Sequence, residues 1–230
     1  AYTVEAVYAG GVVSARTEAA SLAMPATLAN APHSLAARMK GVNDVKLTWA
    51  EPQRDLPTLR YYDDADEVSG MGRTYLSFEG AVRFDATDMD AYDGYKITAV
   101  NFVPRKAIES WVLNIYSGTE LVYTQPITQE LQYARLNTVV LDEPLALPAK
   151  GDLYVAIQAN VAMTETSSDI LGMVYDKATF GYSDLVRVVG EDEWFYSLEE
   201  ASEAEQGTSY PITFIIGAEL TAADGQEAAI

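Results

Sequence analysis

The sequence predicts an all-β chain folded as an antiparallel β-sandwich, and three observations carry that prediction. Apolar residues alternate with polar ones over short runs and do not recur at helical spacing. Tyrosine is abundant, with 15 in 230 residues, and together with Val, Ile and Thr it suits a pleated, half-buried surface. Turn signals interrupt the runs about every ten residues, the rhythm of a sandwich or barrel, and no βα alternation points to a doubly wound sheet.

The strands follow in order. Residues 1–22 read as two strands around Gly10-Gly11, with Tyr2, Val4, Ala6 and Tyr8 on one face. Residues 23–34 are small and proline-punctuated and read as a linker. Residues 35–57 hold a second pair, Leu35–Met39 and Val45–Trp49, closed by Glu51-Pro52. The main body spans 58–222, and the small, polar tail 223–230 is expected to fray.

Within that body, Thr74–Phe78 and Val82–Phe84 flank a Glu79-Gly80 break, and Tyr95–Val103 forms a long strand stopped by Pro104. Trp111–Tyr116 and Leu121–Gln125 flank Ser117-Gly118-Thr119-Glu120, a strong hairpin signal. Thr138–Leu141 runs to an expected Asp142-Glu143-Pro144 turn, and Leu153–Ala159 alternates cleanly after Gly151-Asp152. Leu171–Tyr175, Leu185–Val189, Trp194–Tyr196 and Ile212–Leu220 complete the set. Short helical turns are expected around Ala86–Tyr92 and Ser197–Ala204.

Composition narrows the function. The net charge is −19, from 15 basic and 34 acidic residues, which repels phosphate backbones and anionic lipid and argues against nucleic-acid partners. No run of about 18 apolar residues supports membrane insertion. The absence of cysteine excludes thiol chemistry and thiolate metal sites. A chain this long buries roughly 70% of its unfolded surface and needs no disulfide staple. If the parent protein is exported, its signal is expected to lie outside this segment or to have been removed.

Two resemblances add to this reading. Tyr2-x-Val4-x-Ala6-x-Tyr8-x-x-Gly11-x-x-Ser14 resembles the last two strands of a fibronectin type III module. The stretch Ala31-Pro32-His33-Ser34-Leu35 through Leu47-Thr48-Trp49-x-x-Pro52 resembles the first two strands of another. From 58 to about 220 the chain resembles the jelly-roll adhesin-type domains of Bacteroidetes surface and secreted proteins of the gingipain and hemagglutinin-associated type. The matching stretches include Tyr61-Tyr62-Asp63-Asp64, Ala91-Tyr92-Asp93-Gly94-Tyr95, Ile115-Tyr116-Ser117-Gly118, Leu136-Asn137-Thr138-Val139 and Leu147-Pro148-Ala149. The resemblance implies a jelly-roll-like sandwich, display outside the cell or on its surface, and cell adhesion. The expected partners are a host or matrix glycan or protein and neighbouring domains of the same polypeptide. It transfers no binding residue.

Candidate sites are few. Asp63-Asp64-Ala65-Asp66-Glu67 is the densest acidic loop, and Asp63, Asp64 and Asp66 are the candidate oxygen ligands for a structural Ca²⁺. Against this stands the plainer reading of a solvated loop. Asp85 to Gly94 mimics an EF-hand loop but places Tyr92 where an acid is needed; Asp85 or Thr87 capping a helical turn that Gly94 ends explains it better. Glu191-Asp192-Glu193, Glu199, Glu200, Glu203 and Glu205 flank Trp194 as a glycosidase pair beside an aromatic would. In so acidic a chain they read first as a solvated face. His33 is the single histidine, so no histidine triad or multi-histidine metal site exists in the segment. No catalytic residue is assigned. The expectation is a non-catalytic adhesion or binding module of a larger multidomain bacterial protein; the alternative is an accessory sugar-binding or catalytic domain of a carbohydrate-active enzyme.

Overall fold

A computed structural model describes residues 33–40, 44–50, 58–63, 68–73, 75–147, 151–175, 179, 181–207 and 209–222. The expected strands of 1–22, most of the linker 23–34 and the tail 223–230 lie outside the described residues. The described residues all fall within one compact unit.

The chain is an all-β antiparallel sandwich. Among the described residues the first element is a hairpin of β1 (His33–Lys40) and β2 (Asp44–Ala50), at the positions where alternation predicts a strand pair. Then come β3 (Thr58–Arg60), β4 (Ser69–Met71) and β5 (Phe78–Phe84). A short helix, α1 (Ala86–Met89), and a 3-10 turn over Asp90–Tyr92 lead into β6 (Tyr95–Phe102). Four long strands follow: β7 (Ser110–Ser117), β8 (Glu120–Ile127), β9 (Asn137–Ala146) and β10 (Leu153–Asn160). The chain closes with β11 (Leu171–Tyr175), β12 (Leu185–Val188), β13 (Tyr196–Ser197), α2 (Leu198–Gln206), β14 (Ile212–Phe214) and β15 (Ile216–Ala222).

One layer is a six-stranded sheet in the order β13-β12-β5-β10-β7-β8. Opposite it lie a four-stranded sheet, β3-β15-β6-β9, and a three-stranded one, β14-β11-β4. These two are stitched by a Pro104–Leu171 bridge and by the Gly172 N–H donating to the Val103 carbonyl at 2.7 Å. Strands 5 to 10 cross repeatedly between layers, as a jelly-roll-like sandwich requires. The core fills the gap with Phe78, Phe84, Leu113, Ile115, Leu153 and Ile157 from the large sheet, meeting Ile97, Phe102, Val139, Leu141, Leu171 and Phe214.

Three expectations need correcting. Glu79-Gly80 is not a break: β5 runs unbroken through it. Gly80 sits where a Cβ would lie 2.5 Å from Leu171 Cδ2 and 3.1 Å from the Phe214 ring, so the glycine answers a close approach between layers, not a turn. Asp142-Glu143-Pro144 is not a turn either. Those residues form a bulge inside β9, whose register against β6 shifts between Ile97 and Ala99. Ile212–Leu220 is two strands in two different sheets, parted at Ile215. By contrast Gly118, at φ 57°, makes the predicted tight turn between β7 and β8.

The open side between β8 and β9 is closed by side chains. The Gln125 amide donates to the Val140 carbonyl at 3.1 Å and accepts from the Asp142 N–H at 2.9 Å. Gln129 donates to the Thr138 carbonyl at 2.9 Å. Glutamine amides thus take up edge groups that would otherwise template another strand.

Candidate functional site: a polar relay on the outer sheet face

Side chains alternate along each strand, so a strand that buries one set in the core carries the other on the outside. On β5, β10 and β7 the outward set is Glu79, Ala81 and Arg83; Tyr154, Ala156, Gln158 and Asn160; and Ser110, Val112, Asn114 and Tyr116. Register lines them up: Ala81, Ala156, Asn114 and Thr124 form one row, and Arg187, Glu79, Gln158, Val112 and Pro126 the next.

The small alanines of the first row leave room above the sheet. Phe195, three residues before the start of α2, settles there among Ala81, Ala156, Tyr116, Tyr154 and Leu185. Its ring stacks on Tyr154 at 5.9 Å, and half-buried Trp194 meets Tyr116 and Tyr154 edge-on at 5.4 and 5.5 Å. The Arg187 guanidinium lies between 5.1 and 5.6 Å from the ring centres of Phe195, Tyr116 and Trp194, in reach of their negative faces.

Glu79 is fully buried beneath this cluster. Its carboxylate accepts from Arg187 Nε, from Asn114 Nδ2 and from the Tyr116 hydroxyl, the last at 3.1 Å. Arg187 Nη2 also donates to the Tyr116 hydroxyl at 2.6 Å. Burial, followed by the charge of Glu79, pushes the Tyr116 phenol up from its ordinary value. A charge so far from water persists because a cation and two neutral donors surround it.

From Asn114 a hydrogen-bonded relay runs outward. The Thr124 hydroxyl donates to Asn114 Oδ1 at 2.7 Å, and Asn114 Nδ2 donates to Gln158 Oε1 at 3.3 Å. Gln158 Nε2 donates to Asn160 Oδ1 at 2.7 Å, and Asn160 Nδ2 to Ser110 Oγ at 2.8 Å. The buried ion pair orients Asn114, Asn114 orients Gln158, and so on to the rim. Thr124, Pro126 and Ser110 are exposed, while Val112, Gln158 and Asn160 are half-buried. The result is an outward shelf of oriented amides and hydroxyls, bordered by Trp194 and Arg187. Such a shelf can hold a ligand by hydrogen bonds; Glu79 is engaged by its three partners.

The residues singled out from sequence fall elsewhere. Asp63 is exposed, and Asp64 and Asp66 lie outside the described residues; among the described residues no group of three or more acids or histidines converges on a cation position. Asp85 stands at the N-cap of α1, where its backbone carbonyl accepts from the Asp88 and Met89 N–H groups at 3.0 and 3.2 Å while its side chain makes no capping bond. Its carboxylate accepts from the Tyr182 hydroxyl at 2.8 Å, and Asp152 takes the Ala86 N–H at 3.1 Å. Glu191, Asp192 and Glu193 are exposed, whereas Glu199 is buried at the start of α2. Trp111 is core, and Trp194 is the tryptophan at the site. The relay residues escaped sequence reading because each is one polar position in an alternating strand. Asn-x-Tyr in β7 and Gln-x-Asn in β10 are the trace they leave.

No family model matches the chain, and no curated protein matches it. Among solved structures it is similar to the cysteine protease and lectin-like domains of Cwp84, a surface layer associated protein of Clostridium difficile. That likeness has 13% identity and a TM-score of 0.44, covering 76% of this chain and 38% of the other. At that level it carries no argument about fold or activity, and the reading of this chain rests on its own residues.

Proposed function

We propose that this chain is a non-catalytic binding module, displayed outside the cell as part of a larger protein, that recognises glycan or protein through the outer face of its six-stranded sheet. One observation carries the reading: the Thr124–Asn114–Gln158–Asn160–Ser110 relay, anchored on a buried Glu79–Arg187 pair. A buried ion pair is a poor source of stability compared with apolar packing. Holding a row of surface amides in one orientation is a role that apolar residues could not fill. Preorganised polar groups beside an aromatic border are what a binding surface needs.

The adhesin-type resemblance of residues 58–220 and the acidic composition support display at the surface, and no helix among the described residues is long and apolar enough to cross a membrane. The non-catalytic part of the reading draws on Glu79, whose carboxylate is enclosed by Arg187, Asn114 and Tyr116. A hydrolase would require a carboxylate open to a substrate and facing a second one.

The test is an array of glycans and matrix proteins probed with the wild-type chain and with Gln158→Ala. The expected outcome is a ligand retained by the first and lost by the second, at unchanged circular dichroism. A ligand retained equally by both overturns the assignment of this face.

A further inference from the structure

Resting on that reading, we infer that the shelf takes an uncharged, polyhydroxylated ligand, a neutral glycan, and turns away uronic-acid and sulfated sugars. The inference comes from what each shelf group has left to offer. An amide has two N–H donors and a carbonyl oxygen with two lone pairs. Gln158 accepts once from Asn114 and donates once to Asn160, so one N–H and one lone pair remain. Asn160 accepts from Gln158 and donates to Ser110, leaving the same pair of valences. Ser110 accepts from Asn160 and keeps its O–H to donate.

Donor and acceptor therefore stand side by side along the shelf. A sugar hydroxyl, itself donor and acceptor, satisfies both. A carboxylate or sulfate accepts only; it would answer the N–H groups and set its oxygens against the amide carbonyls, leaving these desolvated without a partner. An ammonium group has the opposite mismatch.

Charge points the same way. Glu79 and Arg187 neutralise one another within the sheet, and every other relay member is neutral. Beyond the shelf the chain carries −19, which repels polyanions. Beside the amides, Val112 and Pro126 are cross-strand partners on the outer face, half-buried and exposed respectively. They form an apolar strip against which the C–H face of a pyranose can lie, next to donors and acceptors for its hydroxyls.

The experiment uses the full chain on an array of neutral, uronic-acid-containing and sulfated oligosaccharides. Each retained ligand is then titrated by calorimetry at low and high salt against wild type, Asn160→Ala and Ser110→Ala. Ser110 lies at the exposed start of β7, so its variant stays folded if the Asn160 change does not. The expected result is retention of neutral oligosaccharides only, affinity changing less than about twofold with salt, and a loss of about tenfold in each variant, as for one unsatisfied hydrogen bond. Acidic sugars bound preferentially, weakened by salt and by the same variants, would keep the shelf as the binding surface and overturn its neutrality. Sugars bound with no effect of either variant would overturn both the neutrality and the shelf; no sugar bound would overturn the glycan inference, while the shelf itself stands or falls on the matrix-protein array.

Discussion

Two fully buried carboxylates of this sandwich, Glu79 on β5 and Asp184 at the entry to β12, are held by different chemistry. Glu79 has a cation against it, with Arg187 shared between its carboxylate and the Tyr116 hydroxyl. Asp184 accepts from the Ser197 hydroxyl at 2.5 Å and from the N–H groups of Gly181 and Glu199 at 2.8 and 3.2 Å. Burial pushes Asp184 up to about 6; its hydrogen bonds oppose the rise and the neighbouring Glu199 charge adds to it. The first acid is balanced on the sheet and aligns the relay above it. The second gathers the 181 turn, β13 and the start of α2 through dipoles, and its raised pKa links that junction to pH. Phe195 and Trp194 come just before that helix, so Asp184 holds the segment that carries the aromatic border while Glu79 lies in the sheet beneath it.

The largest expected effect breaks the first arrangement. Arg187→Met strands Glu79 without its cation and should lower stability by about 3 kcal/mol, the lower end of the range for an opened buried pair because Arg187 is itself a quarter exposed. Urea unfolding measures it. Adding Glu79→Gln should restore most of that loss while leaving ligand binding impaired, since the amide row loses its anchor. A double variant no more stable than the single one would show that the pair is not the source of the loss.

The next effect concerns pH. Asp184 binds its proton more tightly folded than unfolded, so this group makes stability fall as pH rises from about 4 to about 6, and adds no slope on either side of that window. A rise from 3.8 to about 6 corresponds to about 3 kcal/mol, at about 1.4 kcal/mol for each pH unit. Asp184→Asn removes the titration. Its stability relative to wild type should climb by that order across the window, read from unfolding curves at several pH values. A constant difference would mean that Asp184 titrates at its ordinary value.

Smallest is Ser197→Ala. Ser197 caps α2 by accepting from the Glu200 N–H at 3.3 Å while donating to Asp184. Its removal should cost about 1–2 kcal/mol. In the Asp184→Asn background the cost should shrink, because the two share one bond.

Much of the fold was legible. β6, β7, β8, β10 and β11 appear within two residues of where alternation and turn residues predict them. Ser117-Gly118-Thr119-Glu120 and Asp85-to-Gly94 declare a turn and a short helical bend by composition, although the side-chain cap expected from Asp85 or Thr87 does not form. The misreadings came where one residue type serves two purposes. Gly80 reads as a turn, yet it is a strand glycine admitting Leu171 and Phe214. Pro144 reads as a stop, yet it sits in a β9 bulge. The site was almost illegible, because Glu79, Asn114, Gln158 and Arg187 are far apart in the chain and each looks like an ordinary outward-facing polar residue.

By itself, the sequence determined the class and the exclusions. Period-two alternation commits a segment to one buried face, and a cysteine-free, acidic chain with a single histidine lacks the parts for thiol or multi-histidine chemistry. What only the tertiary structure decided is which outward residues meet. Sheet order places β12 beside β5, and β10 between β5 and β7, and that order follows from how whole strands share a core. It brings Arg187 to Glu79 across 108 positions of sequence, and the shelf exists because of that register.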